Sequence, residues 1–367
     1  MRIAIPRERT ALESRVALVP ESVSKLVKAG AEVVVERQAG NNASFSDDQY
    51  AAAGATIAAD YPSCVSGAHL ICKVQPPSAD ETAAIPEGAA VICYLQPAVF
   101  PDAIQRLNGR KASALALELV PRITRAQSMD VLSSQATVSG YRAVLLGASA
   151  LGRLMPMLST AAGTLAPAKV FVLGAGVAGL QAVATARRLG AIVSGFDVRP
   201  AAREQILSLG AQVLKVEGAD AEGAGGYARE QSAEQAQKTQ DTITAHVAQM
   251  DLVITTAAIP GKKAPVLLTE AAVRGMKPGA VIVDLAAETG GNVVGTKAGE
   301  TVEINGVKIL GPVNVPSQAA FHASQMLSRN IQTLLAHLTA SDGTLNLDAN
   351  DEITGAMLVC QNGTVRV

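Results

Sequence analysis

Gly174-Ala-Gly176-Val-Ala-Gly179 stands between an apolar run, Lys169-Val-Phe-Val-Leu173, and a helical pattern, Leu180 to Arg187. Glycines at this spacing work through their backbone. Gly174 permits a tight turn, Gly176 lets the main chain approach a ligand, and Gly179 lets a helix pack close to the strand before it. The first N–H groups of that helix are unpaired and, with its dipole, attract an anion. Asp197, 23 residues beyond Gly174, closes the next apolar run, Ile192 to Phe196. Strand, glycine turn, helix and distant acid form the signature of a dinucleotide whose pyrophosphate lies on a helix N-terminus. A glycine-rich turn in some other α/β fold is the competing reading, and it does not require this context. Asp197 also bears on which dinucleotide binds. A carboxylate accepts hydrogen bonds from ribose hydroxyls and repels a 2′-phosphate; at ~4 Å and an effective dielectric of ~20, like charges cost roughly 4 kcal/mol, about a thousandfold in affinity. Arg199 softens that repulsion, or is a solvated charge at a strand end. NAD(H) is the expected cofactor.

A second polar constellation is Pro121-Arg-Ile-Thr-Arg-Ala-Gln-Ser-Met-Asp130, followed by Val-Leu-Ser133-Ser-Gln135. It supplies fixed hydrogen-bond partners for a carboxamide and contains no histidine. A nicotinamide ring needs its amide held so that C4 faces the hydride partner, and Arg122, Gln127, Asp130 and Ser133 are the residues suited to that. The same stretch also reads as a polar loop capping a helix that begins near Leu132, with Asp130 as N-cap and Arg122 paired to it.

The elements that must position these groups alternate along the whole chain. Ile3 to Pro6, Ala31 to Glu36, Leu70 to Val74, Val91 to Leu95 and Ala114 to Leu117 read as strands. Pro20 to Ala29 reads as a helix ended by Gly30, and Ser46-Asp-Asp-Gln49 as a capping box. This predicts a first parallel α/β domain. A helix from Leu132 to Ala148 leads to a second unit with strands at 169–173, 191–196, 212–216, 252–256 and 280–284, the pattern of a doubly wound, Rossmann-type nucleotide-binding domain. After Val307 to Leu310 a helix is expected from Ser317 to about Ala340. The expected division is therefore residues 1–132 with 315–367, and residues 133–314, with the site in the cleft between them. Glu217 to Gln240, containing Gly223-Ala-Gly-Gly-Tyr227, reads either as a lid over the nucleotide or as a plain surface loop.

The 367 residues are 49% hydrophobic with 32 Gly and no Trp, ample to bury two cores. A formal net charge of −1 gives no electrostatic case for nucleic acid. The four cysteines show no C-x-x-C and no metal-ligand spacing, so reduced, buried thiols and no metal site are expected. The N-terminus reads as a strand instead of a signal peptide, and no apolar stretch has the ~20 residues a spanning helix needs. Membrane contact is expected only by docking on a membrane protein.

The chain resembles the NAD(H)-binding first domain of the proton-translocating NAD(P) transhydrogenases, an alpha-subunit component that some bacteria carry as a separate polypeptide. The likeness runs over essentially the whole length. It is close at Ile5-Pro-Arg-Glu8, Arg15-Val-Ala, Lys73-Val-Gln, Pro121 to Gln135, Gly140-Tyr-Arg-Ala143, Gly174 to Gly179, Asp197-Val-Arg199, Gly225-Gly-Tyr227, Thr255 to Pro265 and Asn314-Val-Pro-Ser317. The Arg-x₄-Gln-x₂-Asp loop, here Arg122, Gln127 and Asp130, is specific to that family. The resemblance implies that Arg122, Asp130 and Ser133 hold the nicotinamide amide of NAD(H), with Ser128 and Met129 in the same loop. It implies that Gln127 reaches the nicotinamide of NADP(H) carried by a partner domain. Gly174, Gly176, Val177, Gly179, Asp197, Val198 and Arg199 would meet the pyrophosphate and adenosine side; Gly226 and Tyr227 would close over the nucleotide; Thr256 and Ala258 would line the floor. It further implies a homodimer working with an NADP(H)-binding subunit and a transmembrane subunit, peripheral on the cytoplasmic face of the inner membrane, as an oxidoreductase and translocase.

Hydride passing directly between two dinucleotides moves no proton at the reacting carbons, so a site of Arg, Gln, Asp and Ser suits it. Alanine dehydrogenases share the fold and are the rival reading. They reduce an oxo acid and need a proton donor and a carboxylate clamp. Arg15 and Lys73 are present, but where such an enzyme carries Tyr-Leu-His this chain reads Tyr94-Leu95-Gln96. Gln96 does not titrate, and loss of a general acid costs about 10²- to 10⁴-fold in rate. Arg15 and Lys73 then brace the first domain. A catalytically silent NAD-binding module is the third reading.

Overall fold

A computed structural model of the chain describes residues 1–216, 233–258 and 262–366. The chain divides into two compact units, the first made of Met1–Gln135 with Pro316–Val367 and the second of Ala136–Val315. Both are α/β units on mixed sheets rich in parallel pairs.

The sheet of the first unit runs, in spatial order, Thr364–Val365, Leu358–Gln361, Ser113–Ala116, Ala90–Cys93, Leu70–Cys72, Arg2–Ile5, Glu32–Glu36 and Thr56–Ala58. The strands from Ser113–Ala116 onward pair in parallel, whereas Leu358–Gln361 joins Ser113–Ala116 antiparallel, and Thr364–Val365 joins it in turn. The parallel strands are apolar at consecutive positions because both faces are covered. Ile3, Ile5, Val33, Val35, Leu70, Cys72 and Ile92 enter one core, and Ala4, Val34, Ile71, Val91 and Cys93 enter the other. Local signals agree with these elements. Pro20 opens the helix Pro20–Lys28, and Gly30 takes φ +91° just beyond it. Ser46 and Gln49 form the expected capping box of Asp47–Ala52.

The sheet of the second unit runs Gln212–Val213, Ile192–Phe196, Lys169–Leu173, Leu252–Thr255, Val281–Asp284, Val307–Leu310 and Thr301–Ile304, with only the last antiparallel. Its first five strands have the doubly wound order, which reverses between Lys169–Leu173 and Leu252–Thr255. Val170 and Val172 face one core; Phe171 and Leu173 face the other.

Several expectations shift in detail. The helix expected from Leu132 spans Val131–Ala150, and the division between the units falls within it. The strand expected at 212–216 is only Gln212–Val213. The last long helix is Ala320–Leu338, entered through a 3-10 turn, Val315–Ala319. The exposed hairpin of Leu158–Thr160 and Gly163–Leu165 and the antiparallel edge strands add elements that the sequence pattern does not announce. The four cysteines are buried and unbridged. Among the described residues no helix is long and apolar enough to cross a membrane, and no His/Cys/Asp/Glu group is arranged to hold a metal.

Candidate functional site

In the second unit the glycine turn follows Leu173 and opens the helix Val177–Arg188, whose N-cap, Gly176, offers no side-chain acceptor to the first-turn N–H groups. Each glycine serves a different need. Gly174 adopts φ +91°. Gly179 packs so tightly that a Cβ there would overlap the Gly174 carbonyl oxygen and lie 2.8 Å from its carbon. A Cβ on Gly176 would meet nothing within 4 Å. The requirement at Gly176 is therefore not internal, and the open space beside an uncapped helix N-terminus suits a pyrophosphate. Val177, on the first turn, is 43% exposed.

Asp197 lies at the end of Ile192–Phe196 and is buried. Its Oδ2 accepts from the Ala175 N–H at 2.7 Å, which ties the acid to the glycine turn. The Arg199 guanidinium grips both oxygens, Nε to Oδ1 at 2.9 Å and Nη2 to Oδ2 at 2.8 Å, and the Arg199 N–H adds a further 2.9 Å bond to Oδ1. Burial alone would raise this carboxyl's pKa; the Arg199 and Ala175 bonds outweigh it and hold the pKa below the usual carboxylate value. Val198 is half-buried, and its carbonyl accepts from Arg203 Nη2 at 3.1 Å.

Thr256 follows Leu252–Thr255, the strand neighbouring Lys169–Leu173. Its hydroxyl donates to the Gly174 carbonyl at 2.9 Å, so the two turns at the reversal of strand order are joined. Ala258 is exposed beside it. Asn292 and Asp284 hold this loop, and sequence reasoning missed both. Asn292 is fully buried: Oδ1 accepts from Ala257 N–H at 3.1 Å, and Nδ2 donates to the carbonyls of Ala257 and Pro265, each at 2.8 Å. Asp284 accepts from the Asn292 N–H at 2.8 Å, Thr255 Oγ1 at 2.9 Å and Thr296 Oγ1 at 2.7 Å. No local pattern marks either residue; the only hint is polar residues in and just after an otherwise apolar strand. Gly226 and Tyr227 lie outside the described residues, while the last part of the expected loop, 233–240, belongs instead to the helix Ala233–Val247.

In the first unit Gln127 and Ser128 are exposed on a 3-10 segment, Thr124–Met129, anchored by the buried Ala126 and Met129. Met129 thus contributes its side chain to the core. The Ser128 carbonyl accepts from Asn330 Nδ2 at 2.8 Å, and Arg125 pairs with Asp351 at 3.1 Å. Arg122 is exposed just before this segment. Asp130 caps Val131–Ala150 through Ser133, which donates its N–H to Oδ1 at 2.9 Å and its hydroxyl to Oδ2 at 2.6 Å. The capping reading of Asp130 is therefore realised, and the cap ties Ser133, in the first turn of Val131–Ala150, to Asp130 at the end of the segment that carries Gln127.

Arg15 and Lys73 are buried and held by carboxylates of the same unit. Arg15 meets Glu13 through Nε at 2.8 Å and Nη2 at 2.7 Å, and Gln135 through Nη1 at 2.9 Å. Lys73 meets Glu81 at 3.0 Å and Glu8 at 3.5 Å. Burial would lower the Lys73 pKa, but Glu8 and Glu81 raise it; burial raises that of Glu8 despite Lys73. Gln96 has φ +42° and donates its N–H to Glu118, as Leu95 does at 3.1 Å.

Comparison with known proteins shows the family of the chain. The chain matches the family described as alanine dehydrogenase/PNT, N-terminal domain over residues 4–139, and its C-terminal domain over residues 143–367. It is 47% identical to the first part of NAD(P) transhydrogenase subunit alpha from Rhodospirillum rubrum, covering 100% of this chain and 97% of that one. Among solved structures, the transhydrogenase from Sinorhizobium meliloti has a TM-score of 0.92 at 44% identity, with all of both chains covered. An L-alanine dehydrogenase has a TM-score of 0.84 at 29% identity, covering 100% of this chain and 96% of that one. The chain therefore belongs to the alanine dehydrogenase/PNT family, and within it to the group of the NAD(P) transhydrogenase alpha subunits.

Proposed function

We propose that this chain is the NAD(H)-binding component of a proton-translocating NAD(P) transhydrogenase, active only with an NADP(H)-binding partner. When bound, reduced nicotinamide supplies a hydride from C4 to the nicotinamide of NADP⁺ on another polypeptide. The glycine turn and its uncapped helix hold the pyrophosphate. Asp197 selects the unphosphorylated ribose, and Thr256 and Ala258 line the floor. Arg122 and the Asp130–Ser133 pair orient the carboxamide, and Gln127, exposed on its anchored turn, faces the visiting ring. None of these groups moves a proton. Orientation and exclusion of water do the work, which suits a donor site without histidine.

The observation that carries this reading is the Arg122/Gln127/Asp130 set on and flanking the 3-10 segment Thr124–Met129, with Arg122 and Gln127 exposed and Asp130 half-buried. A silent binding module needs no group aimed at a second ring. The alanine dehydrogenase reading is disfavoured by Gln96 and by the engagement of Arg15 and Lys73 with Glu13, Glu8 and Glu81. The assembly we infer is a homodimer joined to an NADP(H)-binding subunit and a transmembrane subunit, on the cytoplasmic face of the inner membrane. The test mixes the chain with NADH and an oxidised NADP analogue, with and without the NADP(H)-binding subunit, and separately with pyruvate and ammonium. Transfer that depends on the partner is expected. Pyruvate-dependent oxidation of NADH at enzymatic rates would refute the proposal, as would binding with neither reaction.

A further inference from the structure

The carboxylate that should receive the adenosine ribose is fully subscribed. An ionised carboxyl has about four acceptor positions. At Asp197, Oδ1 takes the Arg199 N–H and Arg199 Nε, and Oδ2 takes the Ala175 N–H and Arg199 Nη2. Two of the four bonds come from the backbone and are fixed by the glycine turn and the start of the helix Pro200–Ser208. The other two come from one side chain. Ribose hydroxyls find acceptors on Asp197 only if that side chain lets go. Arg199 is placed to do so, since its side chain keeps 22% exposure against 7% for Asp197. Arg203, by contrast, donates to the carbonyls of Asp197 and Val198 at 2.9 and 3.1 Å and fastens the turn itself.

We infer that Arg199 is a specificity-determining residue that holds the ribose position on Asp197 and is displaced by the entering adenosine ribose, so that its removal sharpens the preference for NADH over NADPH. This rests on the proposal that the glycine turn binds NAD(H). An ordinary contact residue, when deleted, weakens both nucleotides. A displaced occupant behaves differently. Without Arg199 the hydroxyls of NADH meet acceptors that need not be vacated. A 2′-phosphate then meets a carboxylate whose charge is no longer compensated, a repulsion that at close range amounts to tenfold or more in affinity.

The experiment is calorimetric titration of the whole chain with NADH and with NADPH, for the wild type, Arg199→Met and Arg199→Lys, with circular dichroism confirming the fold. For Arg199→Met, NADH binding equal to or tighter than wild type is expected, with NADPH binding weaker by about tenfold or more. Arg199→Lys keeps the charge but cannot fill both positions; its NADPH affinity is expected to stay within about threefold of wild type. Parallel weakening of both nucleotides in Arg199→Met, or a narrowed ratio, overturns the inference while wild-type NADH binding leaves the site proposal standing. A wild type that binds neither nucleotide overturns both.

Discussion

Replacing Asn292 tests whether the loop that follows Leu252–Thr255 is set by one side chain. Asn292→Leu deletes three hydrogen bonds, one to the Ala257 N–H at 3.1 Å and two at 2.8 Å to the carbonyls of Ala257 and Pro265. At about 1 kcal/mol per bond, the half-buried backbone groups left behind give a loss of roughly 3 kcal/mol. Asn292→Asp has nearly the same shape and keeps the Ala257 N–H bond. It replaces both donated bonds by a carboxylate facing two carbonyl oxygens, so at neutral pH it should cost more than the leucine, about 4–5 kcal/mol. Burial and those oxygens raise the folded-state pKa of the new acid above its unfolded value of ~3.9. Its penalty is therefore small below that pH, grows as pH rises through the folded value, and then levels off. Urea unfolding from pH 4 to 8, alongside NADH titration of each variant, reads both effects. If Asn292→Asp costs under about 1 kcal/mol and shows the pH profile of the leucine variant, Asn292 does not organise the loop.

Other outcomes follow from the same geometry. Gln127→Asn should slow partner-dependent hydride transfer far more than it weakens NADH binding, since the side chain is exposed on an anchored turn; an equal fall in single-turnover rate and calorimetric affinity would make it an NADH-binding residue. Gly179→Ala forces a Cβ against the backbone of Gly174, so at least a tenfold loss of NADH affinity is expected in calorimetry. Glu13→Gln leaves the buried Arg15 short of its carboxylate and should cost about 3–5 kcal/mol in denaturant unfolding, much of it recovered by adding Arg15→Met. Burial would raise the Glu13 pKa, but the Arg15 bonds bring it below the ordinary carboxylate value. Its contribution is thus present above the unfolded value of ~4.3 and lost as pH falls through the folded one, and the Glu13→Gln variant should show a shallower acid decline.

What was legible in the chain was local. Uninterrupted apolar runs such as Val170 to Leu173 specify strands covered on both faces, and the glycine spacing specifies the turn that follows. The Ser46 capping box and Gly30 are short-range chemistry and behave as read. What was not legible joins residues distant in sequence. Asn292 pins a loop 35 residues earlier, and Asn330 bonds Ser128 across 202. No periodicity encodes such pairs. The antiparallel edge strands escaped for another reason: Thr364–Val365 has only 2 residues, and in Thr301–Ile304 the exposed Thr301 and Glu303 break the apolar run. Asp130 shows a third case, in which one carboxylate satisfies a helix start and sits on the candidate binding loop, so residue type alone does not choose between the two.

The strands Leu358–Gln361 and Thr364–Val365 complete a sheet whose other members all precede residue 117. The whole of the second unit is therefore synthesised before the first can close. During translation, the Ser113–Ala116 strand waits with a bare hydrogen-bonding edge, while the unit at Ala136–Val315, contiguous in sequence, is free to fold. Vectorial folding from the ribosome thus favours a finished second unit on a nascent chain whose other half is still incomplete. Lesions near Leu358 would surface as misassembly during biosynthesis more than as instability of the finished molecule.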